Sequence, residues 1–337
     1  MAQPAAANDI PAPQQMIEVD TFEDEGNDST FSDGGSTYTT SLSSSVLAHE
    51  FKHGRRYHSY QSGAYLFPND EQEQDRLDMT HHIYYRAMND RLYLAPIKLD
   101  GKRVLDIGTG TGIWAMQMGD EHPEAEMIIG IDLSPIQPTW MPPNVKFIID
   151  NVEEDWVEPQ PYDYIHSRYM AKSIGDWPRL IRQAYDNLKP GGWVEFQEFE
   201  NWFYSEDGTL KPDHYALVLI KHLNEACRKI GKPLDNTLNL EGQVKDQGFI
   251  NVKAEKFPVP MGGWPKDKRL KEVGRFAAIN WIEGVDGFTA APFSEVLGWS
   301  RPEIEVLNAG VRRDCARLDV HAMAYIHVII AQKPESA

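Results

Sequence analysis

The stretch Val104–Gly112, VLDIGTGTG, constrains the fold more than any other part of the chain. An apolar run ends in an acid, and a turn with glycines at 108, 110 and 112 opens a helical pattern. Glycine tolerates positive φ and lets the backbone approach a ligand closely, so a strand–turn–helix unit of this kind starts a ligand-binding βαβ crossover. The rest of the chain continues the alternation. Short apolar runs predict strands at Arg103–Ile107, Met127–Ile131, Val145–Ile149, Tyr162–His166 and Trp193–Phe199. Helical patterns fall at Ile113–Glu121 and at Trp177–Leu188, the latter stopped by Pro190-Gly191-Gly192. The fold class expected is α/β, a mostly parallel seven-stranded sheet with helices on both faces. Asn251–Phe257 and Ala322–Ala331 supply its closing strands.

Helices are also expected upstream at Asn69–Arg91, capped by Asn69 or Asp70. Leu77, Ile83, Met88 and Leu92 are its candidate core contacts. Further helices are expected at Pro212–Lys229, Leu240–Gln247, Lys268–Glu283 and Pro302–Arg317. Pro135, Pro138, Pro142 and Pro143 exclude a regular helix after the second strand. The division expected is an acidic, Ser/Thr-rich disordered tail over 1–48, a helical cap segment over 49–100 and a core over 101–335 with insertions near 203–235 and 262–317. A basic, aromatic patch runs from Phe51 to Phe67.

Charge narrows the partners. Of the formal net charge of -18, half lies in residues 1–50, which hold nine acids and no Lys or Arg. The remaining body is still acidic, which argues against nucleic acid as a direct partner. No apolar run approaches the roughly 18 residues of a membrane span, and no leader is predicted from the first residues. Cys227 and Cys315 have neither metal nor disulfide spacing, so no metal site is expected. Cytoplasm is the expected compartment, with the nucleus second.

The ligand follows from the acids. The glycines are spaced G-x-G-x-G, not the G-x-G-x-x-G that seats a pyrophosphate. Asp106, two residues before the first glycine, would repel a pyrophosphate and suits a ligand carrying an ammonium and a sulfonium. This disfavours a NAD-binding oxidoreductase and points to S-adenosylmethionine. Asp132 ends the second strand, where an acid accepts ribose hydroxyls. Asp150 ends the third, where it suits the adenine amino group, with the Asn151 or Val152 amide on the ring. Strand ends form the ligand crevice of such sheets.

VLDIGTGTGIW, GIDLSPIQP, DYIHSRYM, DWPRL and LKPGGWVEFQE resemble the fungal class I methyltransferases related to LaeA, a regulator of secondary metabolism. Asn69–Asp78 (NDEQEQDRLD) and Ala291-Pro292-Phe293-Ser294 match that group too. The resemblance covers roughly residues 54–335 and implies a Rossmann-like fold with S-adenosylmethionine as cofactor. The cofactor contacts it implies or the turn suggests are Asp106, Gly108, Thr109, Gly110, Gly112, Asp132, Leu133, Asp150 and Asn151.

Methyl transfer from a sulfonium needs alignment and exclusion of water, and a base only where the acceptor loses a proton. His166, closing the fourth strand, is the candidate base. His81 and His82 are weaker candidates, while Arg168, Tyr169 and Trp202 are candidate lining of the acceptor pocket. Trp264, Phe276, Trp281, Phe288, Phe293 and Trp299 enrich the inserted helices in aromatics, which suits a flat or hydrophobic small-molecule acceptor as well as an ordinary lid core. Two functions remain open: O-methylation of a small molecule in fungal secondary metabolism, or regulation of metabolism and development through protein partners.

Overall fold

The computed structural model describes residues 17, 18, 20, 49–58, 66–157 and 160–335. The expected tail lies outside them except for three residues. Asp20 donates its amide to the Trp264 carbonyl at 2.8 Å, and the Glu18 carbonyl accepts from the Lys266 amide at 2.6 Å. Ion pairs of Glu18 with Lys266 and of Asp20 with Lys271 accompany them. Tyr60 and Tyr65 of the basic, aromatic patch are outside the described residues.

A hairpin of β1 (His49–Lys52) and β2 (Arg55–His58) precedes the first helix, α1 (Glu71–Ala87). Asp70 caps α1 by accepting the Glu73 amide at 3.1 Å. The same carboxylate takes a bidentate pair from Arg55 at 2.5 and 2.7 Å, which pins the hairpin to the helix start. Ile83, Met88 and Leu92 are buried as expected, while Leu77 lines a cleft described below.

The sheet contains β3 (Arg103–Ile107), β4 (Met127–Asp132), β5 (Val145–Ile149), β6 (Tyr162–Arg168), β7 (Leu188–Phe199), β8 (Ile250–Pro260) and β9 (Met323–Gln332). Their order is β5-β4-β3-β6-β7-β9-β8, with β9 the antiparallel strand. The order reverses between β3 and β6, which opens a crevice at their C-terminal ends. Helices α2 (Ile113–Glu121), α3 (Trp177–Asn187), α4 (Tyr215–Lys229), α5 (Leu240–Asp246), α6 (Lys268–Ala291) and α7 (Arg301–Cys315) complete the chain. Val104 and Ile128 join the core under α1, α2, α4, α6 and α7, whereas Leu105 and Ile129 face the core under α3 and α5. Residues 133–144 form no helix, as their prolines dictate.

Of the boundaries that differ from expectation, two have a visible cause. β7 begins at Leu188, before the Pro-Gly-Gly, because Gly191 and Gly192 exchange backbone hydrogen bonds with Lys333 at 3.0 and 2.9 Å. Helix α6 runs past Glu283 to Ala291, through Gly284 and Gly287. A Cβ on Gly284 would stand 2.6 Å from Arg76 Cδ and crowd Phe288. Glycine there is a packing device that lets α1 approach, not a helix stop.

Gly112 has a different constraint. Its φ is +82°, and a Cβ would overlap the Phe147 ring. Gly112→Ala is expected to destabilise the protein by about 1–3 kcal/mol from the backbone alone, with more from displacing the ring. A urea unfolding midpoint equal to that of the parent would show that the turn does not need glycine.

Candidate functional site

The C-terminal ends of β3, β4, β5 and β6 open into one cleft. Asp106, Gly108, Thr109, Gly110, Asp132, Leu133, Asp150, Asn151 and His166 all line it. Gly112 does not, so its role is the turn geometry given above rather than a contact inside the cleft.

Asp106 is 2% exposed and fully engaged on both oxygens. One accepts from Thr109 Oγ1 at 2.6 Å, the other pairs with His166 Nδ1 at 2.7 Å. The carboxylate only accepts, so Nδ1 donates to it and Nε2 is the ring atom left for another partner. That ring is wholly buried and stacks on Trp114 at 3.8 Å, and Nε2 has no partner among the described residues. A buried nitrogen left open at a cleft wall calls for a ligand donor.

Asp132 ends β4 and is anchored by two amides, Gly110 N–H at 2.8 Å and Ser134 N–H at 2.9 Å. Burial pushes its carboxyl above the ordinary range, though the two amides work against the shift. Gln137, which the sequence did not single out, donates to the Gly110 and Ser134 carbonyls at 2.6 and 2.9 Å. It ties the proline-rich loop to the glycine turn. Asp150 is exposed; one oxygen accepts its neighbour's Asn151 amide at 2.7 Å, which leaves the other toward the cleft and solvent.

The cleft also takes a wall from α1. Leu77, Thr80 and His81 line it, and Asp78 accepts from Thr111 Oγ1 at 2.6 Å, joining α1 to the glycine turn. His81 is buried between Arg168 Nη1 and Gln117 Oε1, each at 2.9 Å. Burial and the Arg168 charge drive its pKa down to about 3. Both ring nitrogens are therefore occupied and the ring is neutral, a structural arrangement. His82 is half-exposed beside Glu272 at 3.3 Å. Arg168 lines the cleft but is spent on Gln197 and the Leu92 carbonyl as well. Trp202 faces a separate surface cavity with Lys221 and Arg228, not this cleft.

A second, narrower and mostly apolar pocket lies under α6. Tyr84, Phe199, Phe203, Met261, Trp281 and Phe288 are among its lining. Of the aromatics expected in the lid, only Trp281 and Phe288 reach it. Phe293 is packed against Trp299 in the core, and Trp264 donates to the Ala322 carbonyl at 3.2 Å. Thr80 and Tyr169 line both this cavity and the cleft.

Residues 79–254 match a family described as a methyltransferase domain. The chain is 58% identical over 295 residues to methyltransferase pytC of Aspergillus terreus, spanning 88% of this chain and 91% of that protein. It is 34% identical over 291 residues to the secondary metabolism regulator LAE1 of Cochliobolus heterostrophus, spanning 84% and 94%. It is 32% identical over 289 residues to the protein-methionine methyltransferase laeA of Emericella nidulans, spanning 84% and 76%.

Proposed function

Since the chain belongs to the methyltransferase-domain family and is an S-adenosylmethionine-dependent methyltransferase of the LaeA-like type, we propose that it methylates an oxygen of a small molecule in fungal secondary metabolism. The observation that carries the donor half is the convergence of Asp106, Asp132 and Asp150 on one cleft. Asp132 would take the ribose hydroxyls on its remaining lone pairs. Asp150, Leu133 and the Asn151 amide would hold the adenine. The glycine turn, Gly108 to Gly110 with Thr109, would face the methionine end. Bound there, the cofactor supplies an activated methyl group on a cationic sulfur.

The role proposed for His166 is on the donor side. Its ring is closed off by Trp114 and lines the cleft alone, not the cavity under α6. With Asp106 fixing the tautomer, Nε2 accepts from the ammonium of the methionine end. Base catalysis on the acceptor, the role its strand position suggests, is therefore given up.

Calorimetry tests this reading. S-adenosylmethionine is expected to bind with one site and NADH not at all. His166→Ala is expected to weaken cofactor binding about tenfold, the worth of one hydrogen bond to a charged group. Unchanged affinity together with lost turnover would return His166 to the role of base.

The acceptor half rests on the apolar pocket beside the cleft, whose aromatic lining suits a small hydrophobic molecule. The regulatory reading draws on the relatives named as secondary metabolism regulators, at lower identity than methyltransferase pytC. Metabolite profiling of a deletion strain separates the two: loss of one methylated compound supports the biosynthetic role, and broad change with recovered protein partners supports the regulatory one. Cytoplasm, with the nucleus second, is the compartment proposed.

A further inference from the structure

We infer that Tyr169 is the proton acceptor of the methyl transfer, and that the cavity under α6 takes a flat, apolar molecule whose acidic hydroxyl, a phenol or enol, is the methyl acceptor. The inference rests on the donor-site reading above and adds the acceptor to it.

Two side chains line both the donor cleft and the apolar cavity, Thr80 and Tyr169. A group that serves both ligands must stand there. The Thr80 hydroxyl is committed: it donates to the Arg76 carbonyl at 2.9 Å and accepts from Asn280 Nδ2 at 2.7 Å. Tyr169 is thus the titratable group shared by the two spaces among the described residues. His81 and His166 line the cleft only, and Tyr84 lines the cavity only.

The chain holds Tyr169 there at a cost. Its φ is +60°, a conformation that bulky L-residues avoid. Such strain persists only where the surroundings enforce it. The Tyr169 amide donates to the Gln197 carbonyl at 2.9 Å, and Glu198 accepts the next two amides, Met170 and Ala171, each at 2.9 Å. β7 therefore clamps the turn that aims the ring.

Cations surround that ring. The Lys172 ammonium is 4.4 Å from the ring centres of Tyr169 and Phe67 and 5.1 Å from that of Phe288. Lys172 is 8% exposed, and both its charge and a side-chain hydrogen bond act on the Tyr169 phenol. The Arg76 guanidinium lies 5.7 Å from the Tyr169 ring centre. The other titratable groups around Tyr169 are accounted for. Glu73, on α1, is held bidentately by Arg76. Glu198, on β7, is pushed up to about 8 by burial, despite its two amides. Arg168, on β6, is pushed down to about 10, again by burial. Tyr84, on α1, is pushed well up by burial. Burial would do the same to Tyr169, but Lys172 and Arg76 outweigh it and hold its phenol below the ordinary range.

The step balances without a further reactant. The acceptor O–H proton passes to the Tyr169 phenolate oxygen as the acceptor oxygen forms its bond to the methyl carbon. The carbon–sulfur bond breaks, its electron pair stays on sulfur, and S-adenosylhomocysteine and a methyl ether result. Tyr169 then returns the proton to solvent. Proton transfer is efficient when donor and acceptor have similar pKa values, so a phenol or enol fits this base and an aliphatic alcohol does not. Lys172 acts through Tyr169 and is a positioning residue.

The test uses the full chain with labelled S-adenosylmethionine and two probes of similar size, 2-naphthol and decahydro-2-naphthol. Methyl transfer is expected to 2-naphthol and not to the saturated alcohol. Tyr169→Phe is expected to lower kcat by roughly 10²- to 10⁴-fold, with cofactor affinity unchanged by calorimetry. Lys172→Met raises the phenol pKa, so the acidic limb of the pH–rate profile is expected to move to higher pH. In an ultraviolet titration, the tyrosine ionising earliest should vanish in Tyr169→Phe and shift upward in Lys172→Met. Full turnover by Tyr169→Phe, equal rates with both probes, or no transfer to 2-naphthol by a chain that binds the cofactor would overturn the inference. Failure of the parent protein to bind S-adenosylmethionine would instead overturn the donor-site reading, and this one with it.

Discussion

Asp132→Ala is expected to weaken S-adenosylmethionine binding by more than about 100-fold, measured by calorimetry on folded protein. The carboxylate has two tasks in the cleft. It ties the Gly110 amide at 2.8 Å and the Ser134 amide at 2.9 Å, so it holds the glycine turn against the end of β4. Its remaining lone pairs are those proposed for the ribose hydroxyls. Hydrogen bonds to a charged group contribute about 1.5–3 kcal/mol each, and two of them lost from the ligand amount to roughly 150-fold or more. Alanine also leaves two amides without an acceptor, which lets the turn relax away from the ligand. Asp132→Asn is expected to be nearly as damaging, because one carboxamide nitrogen would have to face an amide N–H. The pH dependence has a definite sign. Burial raises the Asp132 carboxyl, so it takes up its proton at a higher pH than an ordinary aspartate. The ionised form is the acceptor; affinity is therefore present above the raised pKa and lost as the pH falls through it. Affinity that rises on acidification, or Asp132→Ala binding like the parent, would remove Asp132 from the site.

The donor site was legible in the sequence because its residues sit where strand ends must sit. Asp106, Asp132 and Asp150 are each the last or next-to-last residue of an apolar run, and a parallel sheet brings those ends together whatever the details of packing. β3 and β5 were readable to the residue, since both are short apolar runs between clear breaks. Where the reading failed, a distant contact overrode a local signal. The Pro-Gly-Gly before Trp193 reads as a break, yet Lys333 recruits it into β7. Gly284 reads as a helix stop, yet it makes room for Arg76. The acceptor side was illegible for the same reason. Tyr169 follows a strand end and reads as pocket lining, but only folding places Arg76, from a helix nearly a hundred residues upstream, beside its ring. Trp202 shows the converse: an aromatic after a strand end looks like pocket lining, but β7 carries it past the cleft to another face.

Arg76→Met is expected to lower stability by about 3–5 kcal/mol, the cost of leaving one partner of a buried ion pair alone. Arg76 is 1% exposed, and Glu73 beside it 2%. Nε and Nη2 hold the two Glu73 oxygens at 2.8 and 2.7 Å, while Nη1 donates to Asn280 Oδ1 at 3.0 Å. One side chain thus joins α1, which walls the donor cleft, to α6, which roofs the apolar cavity. For a domain of this size the melting temperature should fall on the order of 10 °C. The double variant Glu73→Leu/Arg76→Met separates charge burial from linkage. Removing both charges relieves the uncompensated carboxylate, so most of the lost stability should return. The Arg76 bond to Asn280 does not return with it, which leaves only the Thr80 hydroxyl bonded to Asn280 at that point. Amide hydrogen exchange along α6 should therefore stay faster than in the parent, even in a double variant that melts near the parent temperature. A double variant as unstable as Arg76→Met would show that packing around the guanidinium, not the orphaned charge, carries the energy. Restored stability with restored protection of α6 would show that the lid is held by its other ties to α1, Asn280 to Thr80 and Glu272 to Arg86, and by its apolar packing, such as Trp281 on Phe203. The first outcome separates the stability of the fold from the closure of its roof, because an ion pair that contributes little net energy can still decide which helix the cavity closes against.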